Sequence, residues 1–316
     1  MFTGTGGAVL VLLAGVVVLY VGAELLVAGA GRLALGFGLR PVTVGVTVIA
    51  FATTAPELFV AVLGALDVST DTGLGTVLGS NVANIGLVLG LAALIRPLSV
   101  SDTVMRRDVP FMVFAALLLV VLAADGTIGR LEGTILLATL AAFTAFLFRS
   151  ARREPGRSKG ESEARSRAGF GVRDVALVLG GLVGLVLGSR WLITGGSELL
   201  FAFGFSELFV GLTVLALGTS LPELAASVVG AIRDEVDFAI GNVVGSNVYN
   251  VLAVLGIVAV VTPIPVATST LQFEFPVLVG FTLALVAMMA TGGRLSRLDG
   301  AILLAGYVGF VYALVP

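Results

Sequence analysis

Residues 45–90 read GVTVIAFATTAPELFVAVLGALDVSTDTGLGTVLGSNVANIGLVLG, and residues 211–256 read GLTVLALGTSLPELAASVVGAIRDEVDFAIGNVVGSNVYNVLAVLG. In each copy a Pro-Glu pair and a Gly-Ser-Asn followed by a second asparagine interrupt otherwise apolar runs. The copies register without a gap: 223 − 57 = 166, and Ser80 with Ser246 or Asn84 with Asn250 keeps that offset. The register continues outward from the motifs. Gly22 matches Gly188, Pro97 matches Pro263, and Asp108 with Pro110 matches Glu274 with Pro276. Further on the offset slips by one, and Arg130-Leu131-Glu132-Gly133 matches Arg297-Leu298-Asp299-Gly300. The chain is therefore two related halves, 1–149 and 172–316, joined by a linker at 150–171.

With 58% hydrophobic residues, 12% charge and a mean hydropathy of +1.11, the chain is too apolar for a soluble domain and reads as an integral membrane protein. Ten apolar runs lie at about 7–31, 41–66, 73–95, 106–124, 127–149, 172–201, 207–232, 237–261, 270–291 and 298–315. Each approaches the roughly 20 residues that cross about 30 Å of hydrocarbon as a helix. The first run follows an uncharged N-terminus without a cleavage-like site, so it is expected to be a retained helix. The expected fold is all-α, with ten transmembrane helices arranged as two inverted five-helix repeats, because an odd number of spans forces consecutive halves to enter the membrane oppositely. Positive charge sets the sides. The linker with its flanking residues carries Arg149, Arg152, Arg153, Arg157, Lys159, Arg165, Arg167 and Arg173 and is placed in the cytoplasm as a flexible tether. Alternating from there puts Arg32, Arg40, Arg96, Arg106, Arg107, Arg233, Arg294 and Arg297 on the same side and both termini outside the cell membrane.

The chain has no cysteine and no histidine, which excludes disulfides, thiolate or imidazole metal ligands and Ser-His or Cys-His nucleophiles. What remains is hard oxygen chemistry, suited to Na⁺, K⁺, Ca²⁺ or Mg²⁺. At helical spacing Thr53 and Thr54 share a face with Glu57, Thr219 and Ser220 with Glu223, Ser80 with Asn84, and Ser246 with Asn250. Pro56 and Pro222 cannot donate to the carbonyls of Ala52 and Gly218, so an interrupted helix is expected beside each glutamate. Converging four such helices makes a cation cage. Simpler readings exist for parts of it: Gly79-Ser80 and Gly245-Ser246 as small-residue contacts, Asn81 and Asn247 as interhelical glue, Pro56 as a kink. The glutamates resist them, since a carboxylate at mid-membrane costs roughly 2.5–3.5 kcal/mol on insertion scales and neither motif supplies a cation.

The pairs AFATTAPE…GSNVAN and ALGTSLPE…GSNVYN resemble the α-repeats of the cation/Ca²⁺ exchanger superfamily, most closely the prokaryotic Na⁺/Ca²⁺ exchangers. The resemblance covers practically the whole chain. It implies a secondary active antiporter, not an enzyme, with no cofactor; Ca²⁺ and Na⁺ are substrates, the lipid bilayer is the surroundings, and no nucleic acid is involved. It also implies that the first and sixth helices slide across a core made by the second, third, seventh and eighth. By the same resemblance Glu57 and Glu223 are the central Ca²⁺ ligands, shared with Na⁺. Thr53 and Thr219 add backbone oxygens. Thr54, Ser220, Ser80, Ser246 and the carbonyls of Ala50 and Ala216 serve flanking Na⁺ sites, while Asn84 and Asn250 line the centre. This sequence departs from the family pattern at Ala52 and Thr54, where Gly-Thr-Ser is usual, and at Asn250, where an aspartate is common. The cage then has two carboxylates, which neutralise one Ca²⁺ or two Na⁺; a third Na⁺ would make exchange electrogenic. Export of Ca²⁺ against Na⁺ entry is the expected function. H⁺ or K⁺ coupling on the same fold and a cation channel are the alternatives, and a serine hydrolase lacks a general base near Ser80 or Ser246. Glu24 and Arg190 occupy matching places in the first and sixth runs and could pair with each other or line the ion path.

Overall fold

Where they are described, the apolar runs are largely helical in the computed structural model, which describes residues 5–36, 41–67, 70–153, 171–204, 218 and 220–314. α1 is Thr5–Gly36. α2 joins Pro41–Val44, a π turn at Gly45–Ile49 and Ala50–Asp67. α3 joins Thr70–Ala83, a π turn at Asn84–Leu89 and Gly90–Ile95. α4 joins a π turn at Val104–Asp108 to Val109–Leu122, α5 is Arg130–Arg153, and α6 is Val172–Ala202. α7 is Leu221–Ile232. α8 joins Val236–Tyr249, a π turn at Asn250–Val254 and Leu255–Val261. α9 joins Thr268–Gln272 to Glu274–Gly292, and α10 is Arg297–Leu314. Among the described residues seven helices are long and apolar enough to cross a membrane. The apolar stretch Gly45–Thr54 of α2, α4 beyond its π turn, and α7 are shorter than that criterion. The run expected at 207–232 is described only at Gly218 and from Ser220 onward, and most of the linker lies outside the described residues.

Burial sorts the helices into centre and rim. The most apolar windows of α8 and α3 are 89% and 72% buried, whereas those of α1, α5, α6, α9 and α10 are 22–28% buried, so α3 and α8 form the core. Rim helices turn Leu10, Val17, Leu131, Val308 and Tyr312 outward, as a lipid-facing surface requires. α1 and α6 pack together along their length in antiparallel order. Gly15, Gly22 and Gly29 face this seam from α1, and Gly181, Gly188 and Gly195, each 166 residues on, face it from α6. A Cβ at Gly22 would lie 2.7 Å from the Leu185 nitrogen, and one at Gly188 2.5 Å from the Leu19 nitrogen, so only glycine lets the two backbones touch.

Four two-residue strands tie the halves together. β1 (Leu98–Ser99) pairs antiparallel with β4 (Arg294–Leu295), and β2 (Thr127–Ile128) with β3 (Ile264–Pro265). β1 and β3 are equivalent under the repeat, as are β2 and β4, so exchanging the halves turns one ladder into the other. α4 separates β1 from β2, which puts the two ladders at opposite ends of that helix. The ladder with β1 shares its end of the molecule with ion pairs between Arg96 and Asp234 at 2.7 Å, Arg32 and Asp174 at 3.5 Å, and Arg233 and Glu24. Glu24 thus meets Arg233, which follows the end of α7, and Arg190 is exposed.

Candidate functional site

The two Pro-Glu motifs fold differently. Pro222 sits at the start of α7, where its missing N–H is no loss, and Ser220 forms the turn before it with φ −88° and ψ 4°. The expected break beside a glutamate is present there. In the first half Ala50–Asp67 is one continuous helix through Pro56, and the departure from α geometry falls upstream, in the π turn Gly45–Ile49. A proline removes one backbone bond without ending a helix when the neighbouring turns adjust their winding. Two further π turns begin at the asparagines themselves, Asn84 and Asn250, where the looser winding of a π turn interrupts the regular ladder.

α2 delivers Ala50, Thr53, Thr54 and Glu57; the turn before α7 and its first residues deliver Ser220 and Glu223; α3 delivers Ser80 and Asn84, and α8 delivers Ser246 and Asn250. All are buried, with Glu57 at 1% and Glu223 at 0% exposure. Thr219 and Ala216 lie outside the described residues. α8 crosses against α2 so closely that a Cβ on Gly245 would sit 2.5 Å from the Ala50 Cβ and 2.7 Å from the Val46 carbonyl. That approach brings the Thr53 hydroxyl within 3.4 Å of the Ser246 hydroxyl, which in turn donates to Glu223 Oε1 at 3.4 Å. The two carboxylates, one from each half, are both fully buried in this cluster. Among the described residues neither carboxylate has an ion pair, and the part-buried Arg107 is committed to Asp108 at 2.7 Å.

Unpartnered oxygens mark the centre of this cluster. Both Glu57 carboxylate oxygens, Glu223 Oε2, Asn84 Oδ1, Asn250 Oδ1, Thr54 Oγ1 and Ser220 Oγ are buried without a hydrogen-bond partner. Three buried hydroxyls elsewhere bond back to their own helix: Thr47 to Thr43 at 2.7 Å, Ser189 to Leu185 at 2.7 Å, Thr282 to Leu278 at 2.8 Å. Thr54 and Ser220 do not. A buried unsatisfied polar group costs about 1–3 kcal/mol, so this set costs on the order of 10 kcal/mol, as much as the net stability of a typical fold. All seven atoms are acceptors or hydroxyls, the hard oxygen set that Ca²⁺ takes in numbers of about 6–8. The donor set fits a cation, and its two negative charges match one divalent ion.

Two residues that the sequence pattern does not single out, Asn242 and Ser227, complete the site. Asn242 of α8 donates to the Ser227 hydroxyl at 3.1 Å and to the Glu223 carbonyl at 3.5 Å, and its Oδ1 lies 3.3 Å from the Thr53 hydroxyl. The matching positions in the first half are Thr76 and Ala61, so this support differs between the halves. A buried asparagine in an apolar helix reads as glue until its partners are seen.

A cage of buried, unpartnered oxygens shared between two halves of a multi-pass helical membrane protein defines an ion transport protein. The family model described as sodium/calcium exchanger protein matches residues 7–149 and again 174–315. The inner membrane protein YrbG of Escherichia coli is 36% identical over 229 residues, covering 71% of this chain and 70% of YrbG. The sodium/calcium exchanger MaX1 of Methanosarcina acetivorans is 28% identical over 308 residues, with 86% of this chain and 88% of MaX1 covered. A solved structure of the sodium-calcium exchanger NCX_Mj superposes with a TM-score of 0.84 at 27% identity, covering 97% of this chain and 98% of that one. The chain belongs to the sodium/calcium exchanger family. It is accordingly a membrane antiporter and not an enzyme, with Na⁺ and Ca²⁺ as its substrates.

Proposed function

We propose that this antiporter exports Ca²⁺ against Na⁺ entry across the cell membrane by alternating access to one cage built from both halves. The observation that carries the reading is the set of buried oxygens without partners around Glu57 and Glu223. In this reading the two carboxylates hold Ca²⁺ or share Na⁺, Asn84 and Asn250 line the centre, and Thr54, Ser220, Ser80 and Ser246 serve flanking Na⁺ positions. Thr53, Thr219 and the carbonyls of Ala50 and Ala216 complete the ligand set. Cation binding neutralises the carboxylates and satisfies the unmet acceptors, so Ca²⁺ and Na⁺ compete for the same atoms. Proteoliposomes loaded and diluted to impose Na⁺, K⁺ or H⁺ gradients one at a time test this. Uptake of radiolabelled Ca²⁺ is expected with the Na⁺ gradient and a collapsed pH gradient; uptake driven only by a pH or K⁺ gradient would overturn Na⁺ coupling, and flux needing no counter-ion would indicate a channel.

We further infer ten membrane spans in two inverted five-helix repeats, halves 1–149 and 172–316, a cytoplasmic linker at 150–171 and both termini outside. The strand ladders support this, because equivalent strands of the two halves lie at opposite ends of α4. The ion pairs support the same sidedness. Arg32, Arg96 and Arg233, all placed in the cytoplasm by charge, meet partners at the end of the molecule that holds β1. Since the chain has no cysteine, single replacements report sidedness cleanly. In intact cells Thr127→Cys, exposed in β2, is expected to react with a membrane-impermeant maleimide, and Ser99→Cys, exposed in β1, only after the cells are opened. The reverse pattern would invert the topology.

A further inference from the structure

The remaining asparagines of the two motifs, Asn81 and Asn247, link Asn84 and Asn250 in one hydrogen-bonded network that runs Asn84–Asn247–Asn81–Asn250. The Asn84 amide nitrogen donates to Asn247 Oδ1 at 3.1 Å, and the Asn250 amide nitrogen donates to Asn81 Oδ1 at 3.0 Å. Asn81 and Asn247 are themselves held by each other's backbone: Asn81 Nδ2 donates to the Asn247 carbonyl at 3.3 Å, and Asn247 Nδ2 to the Asn81 carbonyl at 3.5 Å, with the Met112 sulfur at 3.7 Å. All four side chains are at most 3% exposed.

A primary amide has a donor end and an acceptor end, and rotating it by half a turn exchanges them. With the nitrogen of Asn84 tied to Asn247, and that of Asn250 to Asn81, rotation would set oxygen against oxygen in a site closed to solvent. Each tie therefore leaves the opposite end, Oδ1, facing away from it, and those are the two amide oxygens without partners. The ties are crossed. Asn84 of α3 is tied to α8, and Asn250 of α8 is tied to α3.

We propose that Asn81 and Asn247 are positioning residues that aim the Asn84 and Asn250 carbonyl oxygens at the transported cation and so set the affinity of the central site. Their side-chain polar atoms are taken up by the network, so they act through their partners. The network also accounts for an amide at 250. A carboxylate there would place an oxygen where Asn81 Oδ1, 3.0 Å away, now receives an N–H. The proposal rests on the reading of the cage as the Ca²⁺ site.

The test is a pair of crossed double-mutant cycles in reconstituted protein, reading the Ca²⁺ concentration for half-maximal Na⁺-driven exchange separately from the maximal rate. Asn247→Leu and Asn84→Ala are each expected to raise that concentration about tenfold with a smaller change in maximal rate, and their combination to add little to Asn84→Ala alone. Asn247→Leu with Asn250→Ala is expected to multiply to about a hundredfold, because those two residues do not pair. Asn81→Leu should show the mirror pattern, coupled to Asn250 and independent of Asn84. Equal coupling in both cycles, or leucine effects confined to the maximal rate, would overturn the positioning role while leaving the exchange reading intact. Absence of Na⁺-driven Ca²⁺ flux in the unsubstituted protein would overturn both. If leucine blocks insertion, Asn81→Ala and Asn247→Ala are expected to give the same crossed pattern.

Discussion

Glu57→Gln and Glu223→Gln are each expected to lower Na⁺-driven Ca²⁺ uptake by about a hundredfold or more, while the purified protein melts at the same temperature or a higher one. Removing one partner of a buried charge arrangement costs about 3–5 kcal/mol, and each ~1.4 kcal/mol is a factor of ten. With one carboxylate left, a bound Ca²⁺ would leave a net positive charge in a site closed to solvent, with no other acidic group among its described residues. Glutamine keeps the size and one acceptor oxygen, so packing is not the reason for the loss. Stability moves the other way because the substitution removes a buried carboxylate whose oxygens lack partners in the cation-free protein. Uptake that persists in both single variants would place the site elsewhere, and a large fall in melting temperature would mark the glutamates as structural.

Gly245→Leu is expected to abolish uptake and to lower the melting temperature. The added Cβ alone would sit 2.5 Å from the Ala50 Cβ and 2.8 Å from the Val46 Cα, so α8 must move off α2. Overpacking of this kind costs about 1–3 kcal/mol in stability. The functional cost is larger, because the same contact holds the Thr53 hydroxyl 3.4 Å from the Ser246 hydroxyl and, through it, the Glu223 carboxylate. Wild-type Ca²⁺ affinity in a Gly245→Leu protein would mean that the halves need not touch here for the cage to form.

The repeat, the helical class and the two glutamates are legible in the sequence because duplication writes each signal twice and because a carboxylate in an apolar helix is too costly to be incidental. What escapes the pattern has specific causes. The same Pro-Glu spelling gives a helix start at Pro222 and a continuous helix through Pro56, since the neighbouring turns decide whether a lost backbone bond breaks the helix. Two-residue strands such as Leu98–Ser99 are too short to show an alternating pattern, yet they carry the pairing that relates the halves. Asn81 and Asn247 read as glue because a sequence does not show which end of an amide meets which neighbour. Asn242 has Thr76 as its counterpart, so the duplication that exposes the rest of the site is silent there.

The departure at Asn250 takes on a different meaning once its partner is known. Read as a missing charge, it makes the cage poorer than the family pattern; in the folded protein its nitrogen satisfies Asn81 and its oxygen is left for the cage. On the proposed ligand set, two carboxylates and two oriented amides are balanced by one Ca²⁺ or two Na⁺, so exchange that carried a third Na⁺ would move net charge.

Equilibrium binding of Ca²⁺ to the purified protein, titrated against Na⁺, tests the central claim most directly. One Ca²⁺ per chain is expected, displaced by Na⁺ in a competitive manner and lost in the double variant Glu57→Gln/Glu223→Gln. Undiminished Ca²⁺ binding in that variant, or binding that Na⁺ does not displace, would contradict it.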